Sequence, residues 1–355
     1  MKAQIIGWGA YVPRRVLTNA DLAQMVDTSD EWIVERTGIR ERRLADADET
    51  TASMAIVAAE RALATASADP LAIDLIIVAT ATPDYLFPAT ACLVQRSIGA
   101  TRAAAFDLGA GCSGFIYALA LGAHAIEAGA YRYALVIGAE TLSRITNWTD
   151  RGTCVLFGDG AGAVLLGQAN GPGGILATHL GADGAGADWL ILPAGGSRKP
   201  ASAETVAENL HTIRMDGQKV FRFAAKIIPA ATRKVLEQAG LSLADVDMVI
   251  AHQANARILQ AAAERLGVPK EKMYANIDRY GNTSAASIPI ALCEMADAGR
   301  LQPGQRVVLV GFGAGLTWGA VLVEWGGRPR PKRNLPWLVA AVRRWWAWLL
   351  RRFRR

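Results

Sequence analysis

An α/β fold made of two similar halves is what this sequence predicts, and three observations carry the expectation. Residues 71–81, LAIDLIIVATA, are matched by residues 243–253, LADVDMVIAHQ. Each is a short acidic turn followed by a continuous apolar run, which reads as a buried strand. A helical pattern precedes each, ASMAIVAAERALATA in one case and AAKIIPAATRKVLEQAG in the other. A second strand then follows each, YALVIGAE at 133–140 and VVLVGFGAG at 307–315. The partners stay about 173 residues apart throughout. A helix–strand unit repeated at a constant offset points to duplication and to two buried mixed sheets.

Composition sets the outer limits. The 355 residues are 52% hydrophobic and 20% charged, an ordinary globular balance. Cys92, Cys112, Cys154 and Cys293 lie far apart, with no CxxC and no Cys/His ligand spacing. That argues against a zinc site and a disulfide scaffold, and it fits a reducing compartment. The opening MKAQIIGWGAYVP has too short an apolar stretch for a secretory signal, so the expected location is the cytoplasm. Residues 328–355 hold ten Lys and Arg and no Asp or Glu, so the chain's net +6 leaves −4 on residues 1–327. The basic character belongs to the tail, and a nucleic-acid footprint spread over the fold is not expected.

The chemistry-bearing candidates sit at the ends of the predicted strands. Cys112 lies in DLGAGCSGF, between the strand-like AAAFDL and the helical SGFIYALALGAHAIEAG. A strand-to-helix turn of this kind offers unpaired backbone N–H groups and a helix dipole, which stabilise a thiolate and lower its pKa. A small buried residue is the bland alternative. Of the four histidines, His124, His179 and His211 fall in a helix, a strand and a polar stretch, whereas His252 closes the buried strand DMVIAH. Strand C-termini are where α/β folds build sites, although a satisfied core histidine reads the same way. Asn282, in RYGNTSAAS, could cap the helix IPIALCEMADAG. The duplication also sets that segment opposite the Cys112 turn, so two helix starts should face each other near a pseudo-twofold axis. The glycines of GFGAGLTWGAVLVEW (311–325) lead into a strand rather than a helix. That argues against dinucleotide binding and suits a backbone oxyanion donor at Gly313.

DLGAGCSGF, HQAN, GNTSAAS and GFGAGLTWG, in this order and spacing, resemble β-ketoacyl-acyl-carrier-protein synthase III, the thiolase-fold enzyme that starts fatty-acid synthesis. DEWIVERTGIRERR at 30–43 and GDGAGAVLL at 158–166 add to the resemblance, which covers residues 1 to about 326. It implies a thiolase-like α/β fold, its duplicated halves (1–172 and 173–326) forming a layered αβαβα core. It also implies a Cys-His-Asn set of Cys112, His252 and Asn282, where elongating synthases resemble Cys-His-His. On this reading Cys112 takes an acyl group from acyl-CoA, with the Cys112 and Gly313 amides as oxyanion donors. His252 and Asn282 then assist decarboxylation of malonyl-acyl-carrier protein. No metal and no cofactor is implied, acyl-CoA being a substrate.

The resemblance also assigns binding positions. Trp32 and Arg151 match the pair that sandwiches the CoA adenine, Thr28 and Arg36 match further CoA contacts, and Gly217 matches the backbone beside pantetheine. Phe87 matches a residue that crosses a homodimer interface to floor the partner's acyl pocket, and Leu142, Phe157 and Phe312 match pocket walls. Arg222, Arg257 and Arg265 match basic positions that receive the acidic carrier protein, though each alone reads as a solvated charge. Two departures are Gln218, where some relatives have Asn, and Ala314, where many have a third consecutive glycine.

Residues 327–355 extend past the resemblance. RPRPKRNLP reads as a basic linker. From Trp337 onward a helical wheel places Leu338, Val342, Trp345, Trp346, Leu349 and Phe353 on one side and Arg343, Arg344, Arg351 and Arg355 on the other. Such a basic, Trp-rich amphipathic helix suits the surface of an anionic membrane, giving peripheral contact at its inner face, and is too short in its apolar runs to span it. A disordered tail, or a helix packed on its own domain, is the alternative. Two other functions stay open on sequence: a related synthase of a secondary-metabolite or membrane-lipid pathway, and a non-catalytic membrane-bound scaffold.

Overall fold

Nine strands in two sheets carry the architecture. In the computed structural model the described residues are 2–169, 171 and 173–327; the tail with its expected helix, Trp345, Trp346, Leu349 and Phe353 included, lies outside them. The strands are β1 (Ala3–Tyr11), β2 (Leu75–Ala79), β3 (Ala104–Leu108), β4 (Tyr133–Glu140), β5 (Gly160–Gln168), β6 (Gly174–Ala182), β7 (Met248–Ala251), β8 (Arg306–Gly313) and β9 (Thr317–Glu324). The first sheet runs β1-β5-β4-β2-β3 and the second β7-β8-β9-β6. In both, a parallel pair (β2/β4, β7/β8) adjoins an antiparallel one (β4/β5, β8/β9), as duplication requires. The equivalent of β3 in the second sheet shrinks to a single bridge, Val249 to Met273.

Each expected strand is present, trimmed where a turn intrudes. The acidic lead-ins to β2 and β7 are 3₁₀ turns, Pro70–Ala72 and Leu243–Asp245. Their runs are apolar throughout because both faces of each sheet are covered. Successive residues are sorted by the period of two: Leu75, Ile77 and Ala79 face one cluster, Ile76 and Val78 another. Likewise Val307 and Leu309 join the first cluster while Val308 and Val310 join a third.

Five of the helices define the layers. α1 (Thr51–Ala66) starts from a capping box of Thr50 and Ser53, and it buries Met54, Ala55, Ala58, Ala59 and Ala62 against the outer face of the first sheet. α2 (Gly114–Glu127) and the last helix, α5 (Ser287–Asp297), form the central layer between the sheets, apolar nearly all round. α3 (Gly217–Gln238) and α4 (Ala256–Leu266) cover the outer face of the second sheet. This is the αβαβα order. A further cluster, with Leu17, Ile33, Ile39, Leu142 and Phe157, builds a cap beside the sheets.

Candidate active site

Both helices of the central layer begin the same way. Cys112 lies in a 3₁₀ turn, Gly111–Ser113, that runs into α2; Ser284–Ala286 forms the matching turn that runs into α5. The two turns meet where Gly114 packs against Ala285: a Cβ on Gly114 would lie 3.7 Å from that of Ala285. The pseudo-twofold juxtaposition expected from the repeat is therefore present. From the second sheet, the end of β8 comes closer still. A Cβ at Gly313 would stand 2.5 Å from the Cys112 amide nitrogen, so only glycine lets these two backbones approach.

A cavity of about 240 Å³ opens at this junction, and Cys112, His252, Asn282, Phe312 and Gly313 line it together. Phe157, bridged to Asn282 through the backbone, lines it too, as do Trp32, Arg36, Gly217 and Arg257. A larger surface recess of about 630 Å³ beside Trp8, Arg61 and Glu294 contains none of the candidate residues. Chemistry rather than volume selects the smaller one.

The electrostatics of the cavity are those of a dry site. Burial pushes the Cys112 thiol up to about 11, against a smaller lowering by its hydrogen bond with Ser284. This runs against the expectation of a lowered thiol pKa, and desolvation is the largest cause. Burial also holds His252 down to about 3, so the imidazole is neutral at physiological pH. Its Nδ1 lies 2.7 Å from Ser287 Oγ. That hydroxyl also accepts from the Gln253 amide at 3.4 Å, which anchors it beside the ring. Asn282 Oδ1 accepts from the Ser284 amide at 2.9 Å, which leaves the Nδ2 donors for the cavity.

The remaining assigned positions divide. Arg36 and Arg151 lie over the Trp32 ring at 5.0 and 4.8 Å, and Arg151 also donates to the Asp27 carbonyl at 2.7 Å. Trp32 and Arg151 are in direct contact, so a planar base enters between them only if Arg151 swings aside. The Thr28 hydroxyl is buried without a hydrogen-bond partner. Gly217 begins α3, capped by Asp216. Arg222 and Arg265 are exposed on α3 and α4, as is Arg257 at the cavity rim. Leu142 lies in the cap core rather than on the cavity wall. Phe87 is 86% exposed and away from its own chain's cavity. Sequence reasoning passed over Ser287 and Ser284 inside GNTSAAS, the lining residues Phe221 and Phe223, and Glu140. For Glu140 the available signal was a carboxylate ending an otherwise apolar strand.

Two family models match this chain: 3-oxoacyl-(acyl-carrier-protein) synthase III over residues 106–184 and the C-terminal part of the same family over 236–325. The β-ketoacyl-(acyl-carrier-protein) synthase III of Caldanaerobacter subterraneus subsp. tengcongensis is 56% identical over 323 residues, covering 91% of this chain and 98% of the relative. The chain belongs to the 3-oxoacyl-(acyl-carrier-protein) synthase III family. Among solved structures, the Aquifex aeolicus synthase III superposes with a TM-score of 0.85 at 48% identity, covering 91% of this chain and all of that one. The Thermus thermophilus synthase III gives 0.84 at 49%, covering 91% and 99%. As a synthase III, the protein is a thiolase-fold acyltransferase, a condensing enzyme that initiates fatty-acid synthesis. Among the described residues no helix is long and apolar enough to cross a membrane, and no group of three or more His, Cys, Asp or Glu could hold a metal ion.

Proposed function

We propose that Cys112 carries the acyl group of the condensation and that His252 and Asn282 hold the negative charge of its second half. The observation that supports this reading is the convergence of Cys112, the neutral His252 imidazole, Asn282 and Gly313 on one buried cavity. The Cys112 sulfur attacks the thioester carbonyl of a short acyl-CoA, and the oxyanion is received by the Cys112 and Gly313 amides. CoA leaves, and malonyl-acyl-carrier protein enters past Arg222, Arg257 and Arg265. Loss of CO₂ moves charge onto the malonyl thioester oxygen, where two neutral donors stabilise it without first losing a proton. The resulting carbanion equivalent attacks acyl-Cys112 and yields the β-ketoacyl product. Acyl-CoA is a substrate here, and no step calls for a metal or a redox cofactor.

The active unit in this reading is a homodimer. β3 ends the first sheet with one edge unpaired in the single chain, and it exposes Phe106. Tyr85, Leu86 and Phe87 are exposed nearby in sequence, from 60% to 87%. An apolar strand edge of this kind favours pairing with a second copy, which would carry Phe87 toward the partner's pocket. The basic, Trp-rich residues 328–355 support peripheral docking on anionic lipid. Sedimentation with anionic vesicles should fall sharply when they are deleted, and equal binding would refute the docking.

The central test uses a panel of radiolabelled acyl-CoAs followed by malonyl-acyl-carrier protein. Wild type should take up covalent label and then release it as β-ketoacyl product, and Cys112→Ser should do neither. Absence of acylation with every primer would overturn the assignment.

A further inference from the structure

The two donors proposed for decarboxylation stand on separate loops. His252 follows β7, and its amide donates to the Val310 carbonyl of β8 at 2.9 Å. Asn282 follows a single helical turn, Ile277–Tyr280. Its amide donates to the Leu156 carbonyl at 2.8 Å and its carbonyl accepts from the Gly158 amide at 3.0 Å. Both backbones are thus fixed, but a backbone does not fix an imidazole. The torsion that turns a histidine ring is broad and roughly twofold, so packing alone separates a ring poorly from its flipped state. Phe312 meets this ring edge-on, with centroids 5.2 Å apart, and that contact is nearly the same in either state. Burial keeps the imidazole neutral, so no charge orients it either.

Ser287 supplies the missing direction. It opens α5 in the same GNTSAAS run as Asn282. Its Oγ lies 2.7 Å from His252 Nδ1 and accepts from the Gln253 amide at 3.4 Å. Gln253 then ties this loop to the chain that leads to Asn282. Its Nε2 donates to the Ala251 and Tyr274 carbonyls at 2.8 and 3.2 Å, and its Oε1 accepts from the Asn276 amide at 3.0 Å. His252, Gln253, Asn276 and Ser287 are all buried, where a lost partner costs more than at the surface. A flipped ring would set a carbon against Ser287 Oγ and forfeit the bond. Either partner of that bond can be the donor, and the ring's orientation is the same in both cases. Among the described residues no hydrogen bond engages Nε2. We propose that Ser287 is a positioning residue: by holding Nδ1 it turns Nε2, rather than a ring carbon, toward the malonyl thioester oxygen that Asn282 also receives. Ser287 does not itself line the cavity, so it acts through His252.

The inference rests on His252 assisting decarboxylation, and a double-mutant cycle separates the two. Release of labelled CO₂ from carboxyl-labelled malonyl-acyl-carrier protein, at saturating acyl-CoA, is followed in wild type, Ser287→Ala, His252→Ala and the double variant. Ser287→Ala should lower kcat on the order of 10- to 100-fold, as for a misaimed catalytic group, and leave the KM for malonyl-acyl-carrier protein within about twofold. In the His252→Ala background the same change should cost less than about twofold, because nothing is left to position. Ser287→Cys keeps the shape and a weak donor, so its kcat should fall between those of serine and alanine. It takes the place of alanine in the cycle if Ser287→Ala does not fold. An equal loss in both backgrounds would make Ser287 a structural residue and overturn the proposal, as would a raised KM at unchanged kcat. A His252→Ala enzyme that releases CO₂ as fast as wild type would instead overturn the donor reading.

Discussion

His252 gives the sharpest quantitative expectation. Its pKa falls from an ordinary 6.5 to about 3 through burial alone. Between those values the unfolded chain binds a proton that the folded chain refuses, so stability rises with pH and is lost as pH falls through the window. The full effect approaches about 5 kcal/mol at the acid end, since each tenfold loss of proton affinity is worth about 1.4 kcal/mol. Between pH 7 and pH 5 the share is about 2 kcal/mol, because the unfolded imidazole is already mostly charged at the lower pH. Urea unfolding of wild type and His252→Gln at these two pH values isolates it, since carboxylates such as Glu140 and Asp159 titrate in both. Wild type should lose about 2 kcal/mol more than the variant. Equal losses would mean that the folded site accepts the proton, and the neutral-donor role in decarboxylation would fail with it.

Three other perturbations follow from the geometry. Trp32→Ala removes the surface against which Arg36 and Arg151 lie, so the KM for acyl-CoA should rise about fivefold with kcat little changed, in steady-state assays. Gly313→Ala forces a methyl toward the Cys112 amide, and single-turnover acylation should fall by about 10²-fold while the protein still folds. Phe106→Asp places a charge on the unpaired edge of β3. Light scattering coupled to gel filtration should show a dimer in wild type and a monomer in the variant, and an unchanged mass would remove β3 from the interface.

What the sequence made legible was what local pattern encodes. Acidic turns leading into continuous apolar runs marked the repeated strands, and the constant offset between repeats placed the Cys112 and Asn282 turns face to face. Hidden were features that depend on what packs around a residue. Arg42, in the charged run RERR, reads as surface, yet it is wholly buried and donates to Leu17 O, Asn19 Oδ1 and Val155 O, tying the cap together. Leu142 reads as a pocket wall and lies behind it. The thiol pKa was read from the helix start, a local feature, whereas burial by both sheets decides its direction. Glu140 had a sequence signal, a charge at the end of an apolar strand, but its buried hydrogen bonds from Thr80, Thr82 and the Ala81 amide came from the chain packing around it.

The same dryness acts on both halves of the site in opposite senses, and this constrains how the chemistry is divided. In a wetter cleft an imidazole beside a thiol could take its proton, giving a thiolate–imidazolium pair. Here burial disfavours both charged members. A histidine held neutral in that way suits the stabilisation of negative charge on a decarboxylating thioester better than a thiolate–imidazolium pair. In the proposed function the two halves of the duplicated fold share the work. The first half supplies the sulfur. The second supplies His252 after β7 and Asn282 before α5. A mutation that wetted the cavity would thus trade one function against the other rather than weaken both alike, since a charged His252 would favour the thiolate while ceasing to be a neutral donor.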